Sequence, residues 1–126
     1  MNYLIKFIPQ SEQRYATLGD YQTTGDLCEI RVSTQPNSVF SMAIALHELV
    51  ETYLCRLAGI TDDEIDKWDL SWKSSEEPGD DPNCPYYQQH QFATKIERQF
   101  IESLGYDWKL YIEATNSTLD EVSDAE

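Results

Sequence analysis

One helix constrains this sequence more than any other feature. The run from Val39 to Ala58 is its longest helical stretch, and Gly59 follows where a helix ends in a left-handed turn. At ~100° per residue, Met42, Leu46, Leu49, Val50, Tyr53, Leu54 and Leu57 fall on one broad apolar arc, which marks a core helix. Its middle reads His47-Glu48-Leu49-Val50-Glu51. His47 and Glu51 are four apart, so they stack on one face at the edge of that arc. An imidazole and a carboxylate placed this way can share one metal ion. Glu48 lies further round, toward water with Thr52 and Arg56, where it could handle a proton.

Before this helix the pattern is that of strands. Tyr3–Ile8 is rich in β-formers and stops at Pro9, and Arg14–Leu18 reads as a short second strand stopped by Gly19-Asp20. Thr24-Gly25-Asp26 is a turn. Leu27–Ser33 then alternates, with Cys28, Ile30 and Val32 on one face and Glu29 and Arg31 on the other. These features predict a small antiparallel sheet, in which an exposed Leu27–Ser33 could align an extended substrate by edge pairing.

Residues 34–38 supply a turn and a helix cap, and Thr61-Asp62-Asp63-Glu64 is a capping box that starts a short helix to about Leu70. Ser71–Pro85 is a long polar loop. A second long helix is predicted from Tyr86 to Leu104, ended by Gly105. His90 and Glu97 fall inside its apolar arc, with Ala93, Ile96, Phe100 and Ile101. A buried ionisable group needs a partner or a metal. Trp108 and Tyr111 are expected to pack back on the core. The expected fold class is thus α+β: one metal-binding domain over residues 1–115, then an acidic, frayed tail over 116–126.

Composition narrows the function. The net charge is −14 with nine Lys and Arg among 126 residues, which argues against general nucleic-acid binding and against anionic membrane surfaces. No apolar run approaches the ~20 residues of a transmembrane helix, and Met1–Pro9 carries no basic signal-peptide region, so a cytoplasmic location is expected. The three cysteines form no C-x-x-C pattern. Cys28 and Cys55 read as core, and Cys84, in the loop, is the one candidate for a reactive or metal-binding thiol.

The chain has only two histidines, each on the sheltered side of a predicted long helix with a glutamate on the same face. Antiparallel packing of the two helices would join His47, Glu51 and His90. Neutral imidazoles plus a carboxylate suit Zn²⁺, though another divalent metal fits the same donors. Glu97 is either a fourth ligand or the acceptor that orients a histidine. The same residues could instead satisfy one another as hydrogen-bonded pairs, but jointly they favour a metal. Asp66, Asp69, Glu76, Glu77, Asp80 and Asp81 read mainly as solvated carboxylates.

The run Ala45–Glu51, the Gly59-Ile60 exit, Ile65–Asp69, Pro78–Asp81, Pro85-Tyr86, His90, Ala93 and Glu97 resemble a family of small phage and prophage proteins. Arg14-Tyr15 and Gly19-Asp20-Tyr21 extend the likeness over residues 3–112. The resemblance implies a phage-related origin, hence a host cytoplasm, and no particular activity. At a looser level, strands followed by an H-E-x-x helix and a second ligand-bearing helix are similar to minimal zincin-type metallopeptidases. That likeness implies His47 as ligand, Glu48 as general base and Glu51 where those enzymes carry a second histidine, with His90 or Glu97 as third ligand. A peptide or protein would then be the substrate. Two alternatives stand beside it. Glu48-x-x-Glu51 with Asp63-x-x-Asp66 resembles the acidic motifs of all-helical, Mg²⁺-dependent nucleotide pyrophosphohydrolases, against which the strands argue. An acidic phage accessory protein that binds a host factor would use a metal only structurally.

Overall fold

Leu27–Ser33 forms the centre of the sheet because it alone has an alternating face apolar enough to be sealed. Cys28, Ile30 and Val32 are each 0% exposed. In the computed structural model, which describes residues 1–74 and 76–125 (121–125 as backbone), this strand is β3. It is flanked by β1 (Asn2–Ile8) and β2 (Gly19–Thr24), in the order β1-β3-β2.

The sheet departs from expectation in two respects. It is mixed, because β1 runs parallel to β3 in the register Tyr3↔Cys28 and Ile5↔Ile30, while β2 is antiparallel with Tyr21↔Ile30. The second strand is Gly19–Thr24, not Arg14–Leu18. The latter segment is claimed by side chains. Arg14 forks onto Asp20 through Nε (2.6 Å) and Nη2 (2.8 Å), and Gln10 Nε2 donates to the Thr17 carbonyl. Gly25, at φ +62°, opens the two-residue turn between β2 and β3, a backbone shape suited to glycine. Since β3 is hydrogen-bonded on both sides, it offers no edge to a substrate.

Helix α1 (Ser38–Leu57) starts at Asn37, whose side chain accepts from the Val39 amide at 2.9 Å. It ends in a Schellman turn: Gly59 sits at φ +75°, and the Ile60 amide reaches the Cys55 carbonyl at 2.9 Å. The short helix α2 (Asp62–Ser71) has the Thr61 cap expected of it. After the loop comes α3 (Tyr87–Ser103), antiparallel to α1: Phe40 at the start of α1 packs on Tyr106 beyond the end of α3, while Glu51 meets His90 near its start. A further helix, α4 (Trp108–Ala125), covers most of the stretch read as tail, Glu126 lying outside the described residues. Asp107 caps it through the Leu110 amide, Tyr111 is 1% exposed, and the buried Thr118 donates to Gln35 Oε1 at 2.8 Å.

The fold class is therefore α+β, a three-stranded N-terminal sheet followed by helices. None of the described helices is long and apolar enough to cross a membrane. The buried face of α1 is Ser41, Ala43, Ile44, Ala45, His47, Glu51, Thr52 and Cys55. This corrects the expected arc: Met42, Tyr53 and Leu57 are 49%, 50% and 68% exposed. His47 and Glu51 lie in the middle of the buried face and not at its edge.

Candidate metal centre

Three donor atoms from two helices converge in the space between α1 and α3. His47 Nε2 lies 2.9 Å from Glu51 Oε2, His90 Nδ1 lies 2.8 Å from the same oxygen, and the two nitrogens are 3.2 Å apart. The residues His47, Glu51 and His90 are 6%, 5% and 5% exposed. His47 and Glu51 meet because they are one helical turn apart, and His90 reaches them because α3 runs antiparallel.

The other nitrogen of each imidazole is also taken. His47 Nδ1 faces Glu97 Oε1 at 2.8 Å, and Glu97 Oε2 accepts from the Tyr111 hydroxyl at 2.5 Å. His90 Nε2 faces Glu77 Oε2 and Asp80 Oδ1, both at 3.1 Å. A carboxylate accepts and never donates when ionised. With its single hydrogen on the outer nitrogen, each neutral imidazole satisfies the outer carboxylate and turns a lone pair toward Glu51 Oε2. That leaves two nitrogen lone pairs and a carboxylate oxygen aimed at one another. In that tautomeric state three buried acceptors in a triangle of 2.8–3.2 Å call for a cation among them, either protons on the imidazoles or a metal ion.

A divalent metal fits that need. At zinc–ligand distances of 2.0–2.2 Å, the edge of a tetrahedron is about 3.3–3.6 Å, a few tenths of an ångström wider than the observed triangle of 2.8–3.2 Å. Two imidazoles and a carboxylate are donors that zinc accepts, and a histidine backed by a carboxylate on its far nitrogen is the usual support for a metal-binding histidine. Without metal, protons take the place. Burial disfavours charging His47, yet Glu51 and Glu97 outweigh it and hold its pKa well above the ordinary imidazole range. Burial is likewise overcome at His90 by Asp80, Glu51 and Glu77, again raising it. Burial would push Glu51 up, but the bonds from both imidazoles bring it down to about 2.

Of the residues singled out in the sequence, His47, Glu51 and His90 converge directly. Glu97 stands behind His47, in the orienting position and not at the centre of the triangle. Glu48 points inward and not toward water: it is half-buried and lies against Gly19 of β2, where a Cβ would stand 2.6 Å from its Oε1. Burial and the Glu51 charge push its carboxyl well above the usual range. Gly79 makes a similar close approach, since a Cβ there would sit 2.6 Å from His90 Nδ1.

Four contributors were not anticipated: Tyr21, whose hydroxyl donates to Glu51 Oε1 at 2.8 Å, Tyr111, and the two loop carboxylates Glu77 and Asp80. The spacing of Trp108, Tyr111, Ile112 and Thr115, with Asp107 before them, is the signal that could have revealed α4 and with it Tyr111. Asp66 is held by Arg14 at 3.1 Å, and Asp69, pushed up to about 6 by burial, accepts from Tyr15 and Tyr86. Neither joins the triangle, and Asp63 is exposed. Cys84 is buried in the core, with its thiol pushed up to about 11 by burial, and it is not among the donors that converge with His47, Glu51 and His90. Comparison of the chain with family models, curated proteins and solved structures returned no match.

Proposed function

We propose that this chain binds one divalent metal, zinc by its donor chemistry, through His47, Glu51 and His90, and uses it in hydrolysis of a peptide or other amide. The observation that carries this reading is the convergence of three inward-facing donors while both outer imidazole nitrogens face carboxylates. Three protein donors are one fewer than a closed structural zinc site uses. When bound, the metal supplies Lewis acidity toward a carbonyl or water. Glu48, adjacent to His47 and turned toward the same interior, is the residue assigned to take the proton once the charge of a bound metal has lowered its carboxyl again. Glu97 and Tyr111 fix the tautomer of His47, and Glu77 with Asp80 fix that of His90. The three free cysteines fit a reducing compartment such as the cytoplasm.

The experiment is elemental analysis of zinc-supplemented protein purified without a metal-affinity tag. About one metal per chain is expected, lost in His47→Ala and kept in Glu48→Gln. No metal in the unaltered protein would refute the reading. Metal present, but with no hydrolysis across a panel of peptide substrates, would leave binding and remove the hydrolase. The near-complete burial of the triangle supports a second reading, a structural metal in an acidic protein that binds a partner. Chelation separates the two, since it unfolds a structural site but mainly inactivates a catalytic one.

A further inference from the structure

A carboxylate can hold a metal through one oxygen or both, and the second mode would consume a coordination position. The two oxygens of Glu51 are not equivalent in this fold. Oε2 is the corner of the triangle, 2.9 Å from His47 Nε2 and 2.8 Å from His90 Nδ1. Oε1 accepts from the Tyr21 hydroxyl at 2.8 Å, in a buried contact that joins β2 to α1 across 30 residues of sequence. Tyr21 is 6% exposed, and its register opposite Ile30 sets its ring on the core face of the sheet. Two residues earlier on that face stands Gly19, whose missing side chain leaves room for Glu48. Edge strand β2 thus meets both carboxylates of His47-Glu48-Leu49-Val50-Glu51, one through absent bulk and the other through a hydroxyl.

From this geometry we infer that Tyr21 is a positioning residue that keeps Glu51 a one-oxygen ligand. The inference rests on the metal reading above. A phenol is a neutral donor below pH ~10, so Oε1 stays committed to it. A hydrogen bond to the free oxygen also draws charge away from the ligating one. A carboxylate restrained in this way approaches the single-donor behaviour of the imidazole it replaces, and the metal keeps more of its Lewis acidity.

The test uses Co²⁺ as a spectroscopic stand-in for zinc in the full chain. In the unaltered protein, Co²⁺ should give the strong visible absorption of low coordination number. Tyr21→Phe should still bind one Co²⁺, with that absorption weakened several-fold as Glu51 closes onto the ion with both oxygens. In a Glu51→His background the same Tyr21 change should leave the spectrum as it was, because imidazole has no second oxygen to release. A fully loaded Tyr21→Phe protein with an unchanged spectrum would overturn the inference while leaving the metal site intact. Failure of the unaltered protein to bind Co²⁺ or Zn²⁺ would overturn the metal reading and the inference together. Should Tyr21→Phe not fold, the infrared difference between zinc-loaded and metal-free unaltered protein decides. A wide separation of the two carboxylate stretches is the one-oxygen result, and a narrow one refutes it.

Discussion

At the scale of single residues, the support of the two histidines is unequal, and this can be tested. His47 Nδ1 has one acceptor, Glu97, itself anchored by Tyr111, whereas His90 Nε2 has two, Glu77 and Asp80. Glu97→Gln should therefore lower metal affinity about 10–100-fold, the usual cost of losing such a partner, as read by competition with a chromogenic chelator. Glu77→Gln or Asp80→Asn alone should change it far less, and only the double variant should approach Glu97→Gln. Equal losses in all three single variants would refute this asymmetry. Gly79→Ala should drive a methyl against His90 and destabilise the chain by about 1–3 kcal/mol, in a urea titration. His47 and Glu51 were legible because one helical turn relates them, and His90 because it fell inside an apolar arc. Tyr21 was not legible: its bond to Glu51 spans 30 residues, and no local pattern encodes a contact made through the sheet.

Elements were legible where a cap or a period marks them, and misread where size, and not polarity, decides what is buried. The limits of α1 follow from Asn37 and Gly59, but its inward face does not follow from its largest apolar residues. Between sheet and α3 there is room for Ala43 and Ala45, at 0% and 1% exposure, opposite an α3 whose Ala93 is also 0% exposed. Small residues allow close helix contact, so the polar triangle comes to lie in the interface and the bulky arc is left outside. Two opposite outcomes should follow in urea denaturation. Ala93→Leu should overpack the interface and cost about 1–3 kcal/mol, while Leu57→Gln should stay within about 0.5 kcal/mol. If Leu57→Gln proved the more damaging, this assignment of faces would be wrong. Helix α4 was missed for a related reason: Thr115 and Thr118 occupy buried positions, so a polar composition concealed a packed face. The mixed sheet was missed because pairing direction depends on where the connection from Pro9 to Leu18 crosses, which alternation within a strand does not record.

For the whole molecule, the centre makes stability depend jointly on protons and metal. In metal-free protein, Glu51 is lowered from 4.5 to about 2, so its contribution is present above pH 4.5 and lost as pH falls toward 2. His47 and His90 are raised from 6.5, so theirs is complete below pH 6.5 and lost as pH rises through their folded values. Asp69, raised from 3.8 to about 6, adds a cost that grows across that interval. The net charge of −14 adds self-repulsion on the same alkaline side. Metal-free protein should accordingly be most stable near pH 5, an expectation built from these opposing shifts, and thermal melts across pH 3–9 would read it. A metal must displace the protons that occupy the triangle. Two ordinary imidazoles at pH 7 would release only about 0.5 proton on binding, whereas imidazoles held protonated by Glu51, Glu97, Glu77 and Asp80 should release close to two. Calorimetric titration of zinc at pH 7 in buffers of different ionisation enthalpy measures that number directly. A value near two would mean that metal and protons compete for one triangle of donors. A value near 0.5 would mean that the outer carboxylates do not hold the histidines charged, removing the proton competition expected from this centre.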